Sequence, residues 1–405
     1  MSQRVLFVDD EPPVLDALRN LLRKYRKVWE MSFATSGTEA LEALAATPFD
    51  VVVSDMRMPG MDGASLLAEV KERHPACARV ILSGHADRDL IVRALPVAHQ
   101  YLSKPCDAEV LRLAIERTCA LQTQLHNETV RALVGRLERL PSAPQVYWDL
   151  TALLARDNVT QADVAAIVEG DPAMVAKLLQ LVNSAYFGLA RRISSVEQAV
   201  AYLGLDLVRT LAVSAHLFDA TQVHVPGFSL DNLQRASLWT ARLAKKVARP
   251  DDSADAYTAG LLRDLGQVIL SAAAPKEFGQ ALAAAAANPQ PQHQAEQHVL
   301  GVTHAAVGGY LLGVWGLPIE IVEAVAHHHT PALAPPESQG LVRAVHIADA
   351  LVEHAILEAA GAKVDEQLDM AFVEATGGTS QLPRWRDMAR EMVEDEKAAE
   401  MGAAR

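Results

Sequence analysis

Short apolar runs alternate with amphipathic stretches over residues 1 to about 105, and this alternation constrains the fold more than any other feature. The runs lie in RVLFV, FDVVVSD, ARVILSG and HQYLSKP, and stretches such as PPVLDALRNLLRKY and SGTEALEALAA have helical spacing. Continuous apolar strands separated by helices predict a parallel sheet covered on both faces. Such a sheet binds its ligand just beyond the carboxyl ends of its strands.

Polar side chains gather where these predicted strands end, and they are Asp9, Asp10, Glu11, Asp55, Ser83 and Lys104. Carboxylates that converge at one edge repel one another unless a cation neutralises them, and all-oxygen ligands suit Mg²⁺. A serine and a lysine at the same edge could bind the oxygens of a phosphoryl group. The alternative, that the acids only cap helices, suits Glu11 but is a poor account of the whole set.

The motifs VDDE, SDMRMPGMDG, ILSG and YLSKP resemble, in order and spacing, the receiver domain of two-component response regulators. The resemblance implies that Asp55 accepts a phosphoryl group from a sensor histidine kinase or a phosphotransfer protein, which is covalent catalysis assisted by Mg²⁺. The implied Mg²⁺ ligands are Asp10, Asp55 and the backbone carbonyl of Arg57, with Asp9 acting through water. The implied phosphoryl-binding and switch residues are Ser83, Lys104 and Tyr101.

A long helix is predicted over residues 107–140, where the sequence contains no proline and a single glycine. We interpret it as the last receiver helix extended into a signalling connector, so that the receiver domain spans residues 1–120 and overlaps it. A dimeric coiled coil and an ordinary helix packed on its own domain both stay open, because the a/d pattern is not sustained over enough heptads.

Helix signals replace strand signals after this segment. In GDPAMVAKLLQLVNSAYFG, Asp171 is placed to cap a helix and Pro172 fits its first turn. SSVEQAVAYLG contains a capping box formed by Ser194 and Glu197. The sequence therefore predicts an all-α second part.

Three segments, LPSAPQVYWDL, DPAMVAKLLQLVNSAYFG and SSVEQAVAYLGLDLVRTLAV, resemble the HDOD family, the HD-related output domains of bacteria. The resemblance implies a helical bundle related to HD phosphohydrolases. We therefore expect an HDOD domain over residues 141–355 and a helical or frayed tail over 356–405. The expected fold class is α/β plus all-α: a doubly wound (βα)5 receiver, a long connector helix and an HD-like bundle.

HD hydrolases hold metal ions with a His, a His-Asp pair, further His and a final Asp, and the metal-bound water attacks a phosphoester. The positions that match this pattern are Ala241, Arg263, Asp264, His304, His328, His329 and Asp349. Ala241 stands where the first His belongs, and Arg263 stands at the His of the His-Asp pair. The Gly-Tyr-Pro signature of cyclic-di-GMP phosphodiesterases is absent after the His cluster.

These two replacements predict a degenerate site. Alanine has no ligand atom, and the guanidinium of arginine is permanently charged and cannot coordinate a cation. We hypothesise that Arg263 takes over the charge of the metal by pairing with Asp264, with Asp349 as a further candidate partner. No metal and no catalytic residue are then expected in this domain, although the remaining histidines leave a weak metal site open as an alternative.

The function expected from both domains is non-enzymatic signalling. Phosphorylation of Asp55 shifts the receiver between two states, and the output is the binding of an unidentified downstream protein or a change in the geometry of a homodimer. The first alternative is a metal-dependent phosphohydrolase or cyclic-dinucleotide phosphodiesterase that uses the HD-like domain. The second alternative is DNA binding by residues 194–214.

The composition bears on these alternatives. The formal net charge of −13 disfavours a surface that tracks nucleic acid. No segment approaches the roughly 18 uninterrupted apolar residues of a membrane span, and the first residues do not form a signal peptide. The 3 cysteines form no CxxC pair. We therefore expect a cytoplasmic protein with no membrane contact.

Overall fold

Five parallel strands form the sheet of the N-terminal part in the computed structural model of the chain, in the order β2-β1-β3-β4-β5. The strands are β1 (Gln3–Val8), β2 (Trp29–Ala34), β3 (Val51–Ser54), β4 (Ala78–Ser83) and β5 (Gln100–Ser103). The structure describes residues 3–83, 97–104, 159–183, 192–205, 224–287, 290–362 and 365–403, with a few isolated positions between them. The four apolar runs of the sequence correspond to β1, β3, β4 and β5.

Both faces of this sheet are buried, as the doubly wound fold requires. Three helices within residues 3–83 pack on it: α1 (Pro12–Leu21), α2 (Gly37–Ala46) and α3 (Gly63–Arg73). Along β1, Val5 and Phe7 contribute to one apolar cluster, while Leu6 and Val8 contribute to the other. Because successive side chains of a strand point to opposite faces, an unbroken apolar run covers both.

The strand β2 lies at an edge of the sheet, and β1 is its only partner among the described strands. Its sequence WEMSFA is interrupted by Glu30 and Ser32, and Glu30 is exposed. An edge strand with one partly solvated face has no continuous apolar run. This is why the sequence pattern located four of the five strands.

The C-terminal part is helical, which confirms the predicted change of fold class. Its helices, as far as the structure describes this part, are α4 (Gln161–Val168), α5 (Pro172–Val182), α6 (Val196–Leu203), α7 (Leu230–Val247), α8 (Ser253–Leu262), α9 (Leu265–Ala273), α10 (Pro275–Ala287), α11 (Gln292–Leu300), α12 (His304–Val314), α13 (Ile319–His327), α14 (Gln339–Ala359), α15 (Met370–Ala375) and α16 (Leu382–Ala403). Two two-residue strands, β6 (Leu140–Pro141) and β7 (Phe218–Asp219), pair with each other.

One of the two predicted helix caps is confirmed and the other is wrong. The side chain of Asp171 accepts hydrogen bonds from the backbone N–H groups of the first turn of α5, and Pro172 begins that helix. The helix α6 begins one residue later than predicted, so Ser195 caps it by accepting from the N–H of Gln198 at 3.2 Å. The backbone carbonyl of Ser194 accepts from a threonine of α8 instead.

A connector helix and a C-terminal tail were predicted at the two ends of the second domain. The connector predicted over residues 107–140 lies almost entirely outside the described residues. At the other end, α16 buries Trp385, Ala389 and Val393 in the apolar cluster formed by α7 and α14. This part of the C-terminal segment is therefore helical and packed, not frayed. No helix among the described residues is long and apolar enough to cross a membrane.

The helix break between α8 and α9 brings the HD-like positions together. Arg263 and Asp264 occupy this break, and Gly266 in the first turn of α9 approaches the start of α12. A Cβ atom at Gly266 would lie 1.9 Å from the carbonyl oxygen of His304. Only glycine permits this contact, so it fixes α12 against the helix break.

We predict that Gly266→Ala lowers the free energy of unfolding by about 3 kcal/mol or more, because the new methyl group meets backbone that cannot move aside. Denaturant unfolding followed by circular dichroism measures the change. The matched control is Gly340→Ala in α14, where a Cβ would meet nothing within 4 Å. The control should raise the free energy by about 0.5–1 kcal/mol through helix propensity. Equal stability of Gly266→Ala and wild type would contradict the prediction.

Candidate functional site

The carboxyl ends of β1 and β3 place two acids beside a lysine. Lys104 follows β5, and its Nζ donates hydrogen bonds to Asp9, at 2.5 Å, and to Asp55. Asp9 is 2% exposed and Asp55 is 8% exposed. The backbone N–H of Arg57 donates to Asp55 Oδ2 at 2.5 Å. The three side chains that the sequence assigned to different strand ends therefore meet at one point.

The electrostatics of this cluster keep the lysine charged. Burial raises the pKa of Asp55, and the opposing effect of Lys104 does not cancel it. Burial acts to lower the pKa of Lys104, but its contacts with Asp55 and Asp9 outweigh burial and raise that pKa. The ammonium group thus acts as the cation that holds two buried carboxyl groups together.

The other predicted residues of the receiver site are located by their positions along the chain and in the strands. Asp10 is half-buried next to Asp9, and Ser83, the last residue of β4, is paired in register with Ser103 of β5. Tyr101 lies in β5. The side chains of Ser83 and Tyr101 lie outside the described residues, so their roles stay predictions.

This set of oxygen atoms fits Mg²⁺, which binds through one or two carboxylates and keeps several waters. Asp10 and Asp55, together with the carbonyl of Arg57, would hold the ion. Sequence reasoning missed Gly63, the first residue of α3, although it lies in the SDMRMPGMDG motif. A Cβ atom there would lie 2.1 Å from the carbonyl oxygen of Asp55, so glycine is required for α3 to start directly beneath the acid.

The helix break in the second domain holds a buried ion-pair network. Arg263 is 3% exposed, and its Nη2 lies 2.9 Å from Asp264 Oδ2. Its Nε donates to Asp349 of α14, and its Nη1 donates to the carbonyl oxygen of Gly260 at 3.3 Å. Both pairings predicted from the sequence are present.

Asp264 and Arg263 are both held in their charged forms. Burial alone would raise the pKa of Asp264, but the Arg263 guanidinium and His304 lower it far below its usual range. Burial likewise opposes the charge of Arg263, but Asp264 and Asp349 raise its pKa. The guanidinium lies between the two carboxylates, where it supplies a positive charge without offering a coordination site.

His304 begins α12 and is part of the same network. Its Nδ1 lies 2.7 Å from Glu296 Oε2, its backbone N–H donates to that same oxygen, and its Nε2 lies 3.2 Å from Asp264 Oδ1. Burial opposes protonation, but Glu296 and Asp264 raise the pKa of His304 to about 10. His304 is therefore an imidazolium that donates from both ring nitrogens.

Two further histidines stay neutral. His328 is fully buried, its Nδ1 lies 2.7 Å from the carbonyl oxygen of Val325, and burial lowers its pKa to about 4. Among the described residues its Nε2 has no hydrogen-bond partner, and it lies 3.9 Å from Asp264 Oδ1. Burial and the neighbouring histidines hold the pKa of His329 well below its ordinary value.

Ring nitrogens of His304, His328 and His329 lie within 4.8 Å of one another, which is close enough for a metal ion. A metal ion there would have to displace the proton of His304, because a coordinating imidazole must be neutral. The neighbouring Arg263 would add like-charge repulsion. The chemistry of this donor set therefore opposes a tightly held divalent cation.

The network lines a cavity of about 500 Å³ between α7, α11 and α14. The predicted positions that line it are Arg263, Asp264, His304, His329 and Asp349. Ala241 lies elsewhere: it is fully buried in α7, where the backbone of Gly260 packs against it. A Cβ atom at Gly260 would lie 3.0 Å from the Cα of Ala241.

Sequence reasoning missed two residues of α11 that contact the histidines of this network. Glu296 is fully buried against His304, and His293 stacks on His329 with ring centroids 4.3 Å apart. Both occur in QHQAEQHVLGVTH, where nothing in the spacing indicates the contact, because it forms only when α11 packs against α12.

The family model of the response regulator receiver domain matches residues 5–116, and that of the HDOD domain matches residues 140–331. An uncharacterised protein of Treponema pallidum is 28% identical over 252 residues, which are 60% of this chain and 48% of that protein. The DNA-binding transcriptional regulator NtrC of Escherichia coli is 33% identical over 138 residues, which are 34% of this chain and 29% of that protein.

The chain thus spans about half of the first relative and less than a third of the second. Among solved structures, a virulence factor of Campylobacter jejuni is 25% identical with a TM-score of 0.51, and the match covers 66% of this chain and 99% of that one. The matches to the two family models follow one another along the sequence, and the α/β and helical parts of the fold correspond to them. The chain therefore contains a response regulator receiver domain followed by an HDOD domain.

Proposed function

We propose that this response regulator is phosphorylated on Asp55 and signals through an HD-like domain that has no catalytic role. The observation that carries the proposal is the contact of Lys104 with both Asp9 and Asp55 at the strand ends. The phosphoryl donor would be a sensor histidine kinase or a phosphotransfer protein, as the receiver family implies.

The chemistry at the strand ends is a transfer to a carboxylate. An oxygen of Asp55 forms a bond to phosphorus while the bond to the donor breaks, which is nucleophilic catalysis. Bound Mg²⁺ supplies charge neutralisation for the transferred group. Lys104 reaches Asp55 directly, so its ammonium group can bind a phosphoryl oxygen on the same side chain. That contact competes with the existing bond to Asp9, and this competition gives the receiver two states.

In the HD-like domain, Arg263 supports a non-catalytic role. A hydrolase of this type needs an open metal position that activates water. Arg263 fills the space between Asp264 and Asp349 and neutralises both. We propose that the domain acts by binding a downstream protein or by changing the geometry of a homodimer.

The second candidate function is metal-dependent hydrolysis of a phosphoester, and the cluster of His304, His328 and His329 favours it. The Nε2 of His328, which has no hydrogen-bond partner in the described part of the chain, offers a buried lone pair, as a metal ligand requires. The protonated state of His304 and the charge of Arg263 oppose it. Metal content distinguishes the two functions.

Phosphorylation is tested with full-length protein, Mg²⁺ and a small phosphodonor such as acetyl phosphate. We predict that wild type gains the mass of one phosphoryl group and that Asp55→Asn gains none, because an amide is a poor nucleophile. The matched control is Asp16→Asn on the exposed side of α1, and this variant should be phosphorylated like wild type. Intact-protein mass spectrometry measures the outcome, and equal labelling of Asp55→Asn would overturn the assignment.

The ion-pair network is tested by Arg263→Met, which keeps most of the side-chain volume and leaves Asp264 and Asp349 buried without their cation. We expect the free energy of unfolding to fall by about 3–5 kcal/mol. The matched control is Arg242→Met on the exposed side of α7, which should change it by less than about 1 kcal/mol. A loss in Arg263→Met as small as in the control would contradict the structural role.

Metal content is measured on the full chain after dialysis against buffer without chelator, with Zn²⁺, Mn²⁺ and Fe²⁺ offered beforehand. We predict no stoichiometric transition metal in wild type. Retention of one equivalent, lost in His328→Gln but kept in the remote variant His298→Gln, would contradict the prediction. Turnover of phosphoesters by that metal-loaded protein would then support the hydrolase.

A further inference from the structure

The cavity of about 500 Å³ beside the Arg263 network continues along one face of α14. Asp349, Glu353 and Ile356 all line it, and their spacing of four and three residues places them on the same side of the helix. Asp349 is bound by Arg263. This face therefore runs from the charged network, past a second acid, to an apolar side chain.

The second acid, Glu353, is left without a counter-charge in contact with it. Its side chain makes no ion pair and no hydrogen bond within the described part of the chain. Arg263 is already shared between two carboxylates, and His304 also lies between two. Burial first, and then the charges of Asp349 and Asp264, raise the pKa of Glu353 to about 7. The protein itself does not fully neutralise the negative charge that this carboxyl group brings to the cavity.

The amides of the cavity wall present their oxygen atoms, because their nitrogen atoms are already used. The Nε2 of Gln292 donates to Glu296 Oε1 at 2.8 Å, and the Nε2 of Gln367 donates to the carbonyl oxygen of Asp365 at 3.4 Å. Burial lowers the pKa of His293, so its neutral ring offers one further acceptor nitrogen. A wall rich in acceptors fits a ligand that donates hydrogen bonds.

Apolar side chains line the same cavity. They come from α7, α14 and α16 and include Leu233, Trp239, Ile356 and Val393. Arg235 of α7 also lines the cavity, where its Nη2 donates to Asn232 Oδ1 at 2.7 Å, and it forms no ion pair with Glu353. A ligand in this cavity therefore meets a carboxyl group and apolar surface side by side.

These features favour an organic cation over a metal ion or an anion. A tightly held transition metal takes several protein ligands at once, whereas Arg263 already neutralises Asp264 and Asp349 and leaves a single carboxyl group. An anion would meet a like charge at Glu353. A cation with a hydrocarbon body gains both the charge-assisted hydrogen bond and the burial of its apolar surface.

We propose that this cavity binds a small organic cation, a primary ammonium ion with an apolar body, whose head group pairs with Glu353 while its body packs beside Ile356. The bound ammonium group completes on α14 the charge pairing that Arg263 begins at Asp349. Such binding rests on the proposed function, because it requires that Arg263 and not a metal ion holds Asp264 and Asp349.

Isothermal titration calorimetry of the full chain tests the proposal, after treatment with EDTA and dialysis, above neutral pH so that Glu353 is ionised. The probes are phenethylamine and hexylamine, with phenethyl alcohol and hydrocinnamate as the neutral and anionic counterparts of phenethylamine. We expect saturable binding of the two amines to a single site and no binding of the counterparts. Absence of binding by both amines at millimolar concentration, or equal binding of the three phenyl compounds, would overturn the proposal.

Glu353→Gln keeps the shape of the side chain and removes its charge. It should weaken the binding of both amines by about tenfold to a hundredfold, the range expected for a hydrogen bond to a charged group. The matched control is Glu358→Gln on the exposed side of α14, where Glu358 pairs with Arg390, and it should bind like wild type. Amine binding in Glu353→Gln as tight as in wild type would contradict the assigned head-group position.

A second variant locates the site without touching the acid. Ala236 is half-buried in α7 and lines the cavity, so Ala236→Trp should fill the space and abolish amine binding. Denaturant unfolding checks that both cavity variants are folded. Glu353→Gln should be at least as stable as wild type, because repulsion of Asp349 is removed. Unchanged binding in folded Ala236→Trp would place the amines outside the cavity and overturn the proposal.

The titration and the metal-content experiment fail independently. A transition metal retained by wild type would contradict the non-catalytic role of the domain, whereas the amine titration uses metal-free protein. Amine binding that is lost in Glu353→Gln supports the cavity assignment in either case. Failure of the amines to bind, with no metal retained, would overturn the ligand and leave the role of Arg263 intact.

Discussion

The bridge from Arg263 to Asp264 and Asp349 is the interaction on which the helical domain depends. It ties the break between α8 and α9 to the middle of α14, deep inside the protein. A buried carboxylate is costly unless it is paired, and here one guanidinium serves two of them. His304 then occupies the remaining side of Asp264, and Glu296 fixes His304, so the network extends from α8 to α12.

The receiver also places one cation between two neighbouring carboxyl groups, but there the cation is a lysine. Lys104 also lies between two carboxyl groups, Asp9 and Asp55, but it is 22% exposed in its side chain, whereas that of Arg263 is 4% exposed. Lysine carries its charge on a flexible stem, while arginine presents a planar and permanently charged group. The acids are similarly buried, since Asp55 and Asp264 are each 8% exposed, so the difference lies in the cations. Under the proposed function, the partly exposed Lys104 suits group transfer, whereas the buried guanidinium of Arg263 suits structure.

The sequence predicted those parts of the structure that depend on local patterns or on residues within known motifs. The strands β1, β3, β4 and β5, the cap at Asp171 and the Arg263–Asp264 pair are of this kind. The strand β2 and the contact of Glu296 with His304 were missed, because an edge strand has a broken apolar pattern and because α11 meets α12 only in the folded chain. The hydrogen bonds from Gln100 Nε2 to the carbonyl oxygen of Val314 and from Gln180 Nε2 to that of His99 also have no sequence signature, since polar residues are common at strand ends and on helices.

The central claim is that the cation position of the HD-like domain has been taken by an arginine, while a divalent ion binds at the receiver. A crystal of the full chain grown with Mn²⁺ tests both halves in one anomalous difference map. The account predicts a peak beside Asp10, Asp55 and the carbonyl oxygen of Arg57, and none between Asp264 and Asp349. A strong peak between Asp264 and Asp349, with Arg263 displaced from them, would contradict it.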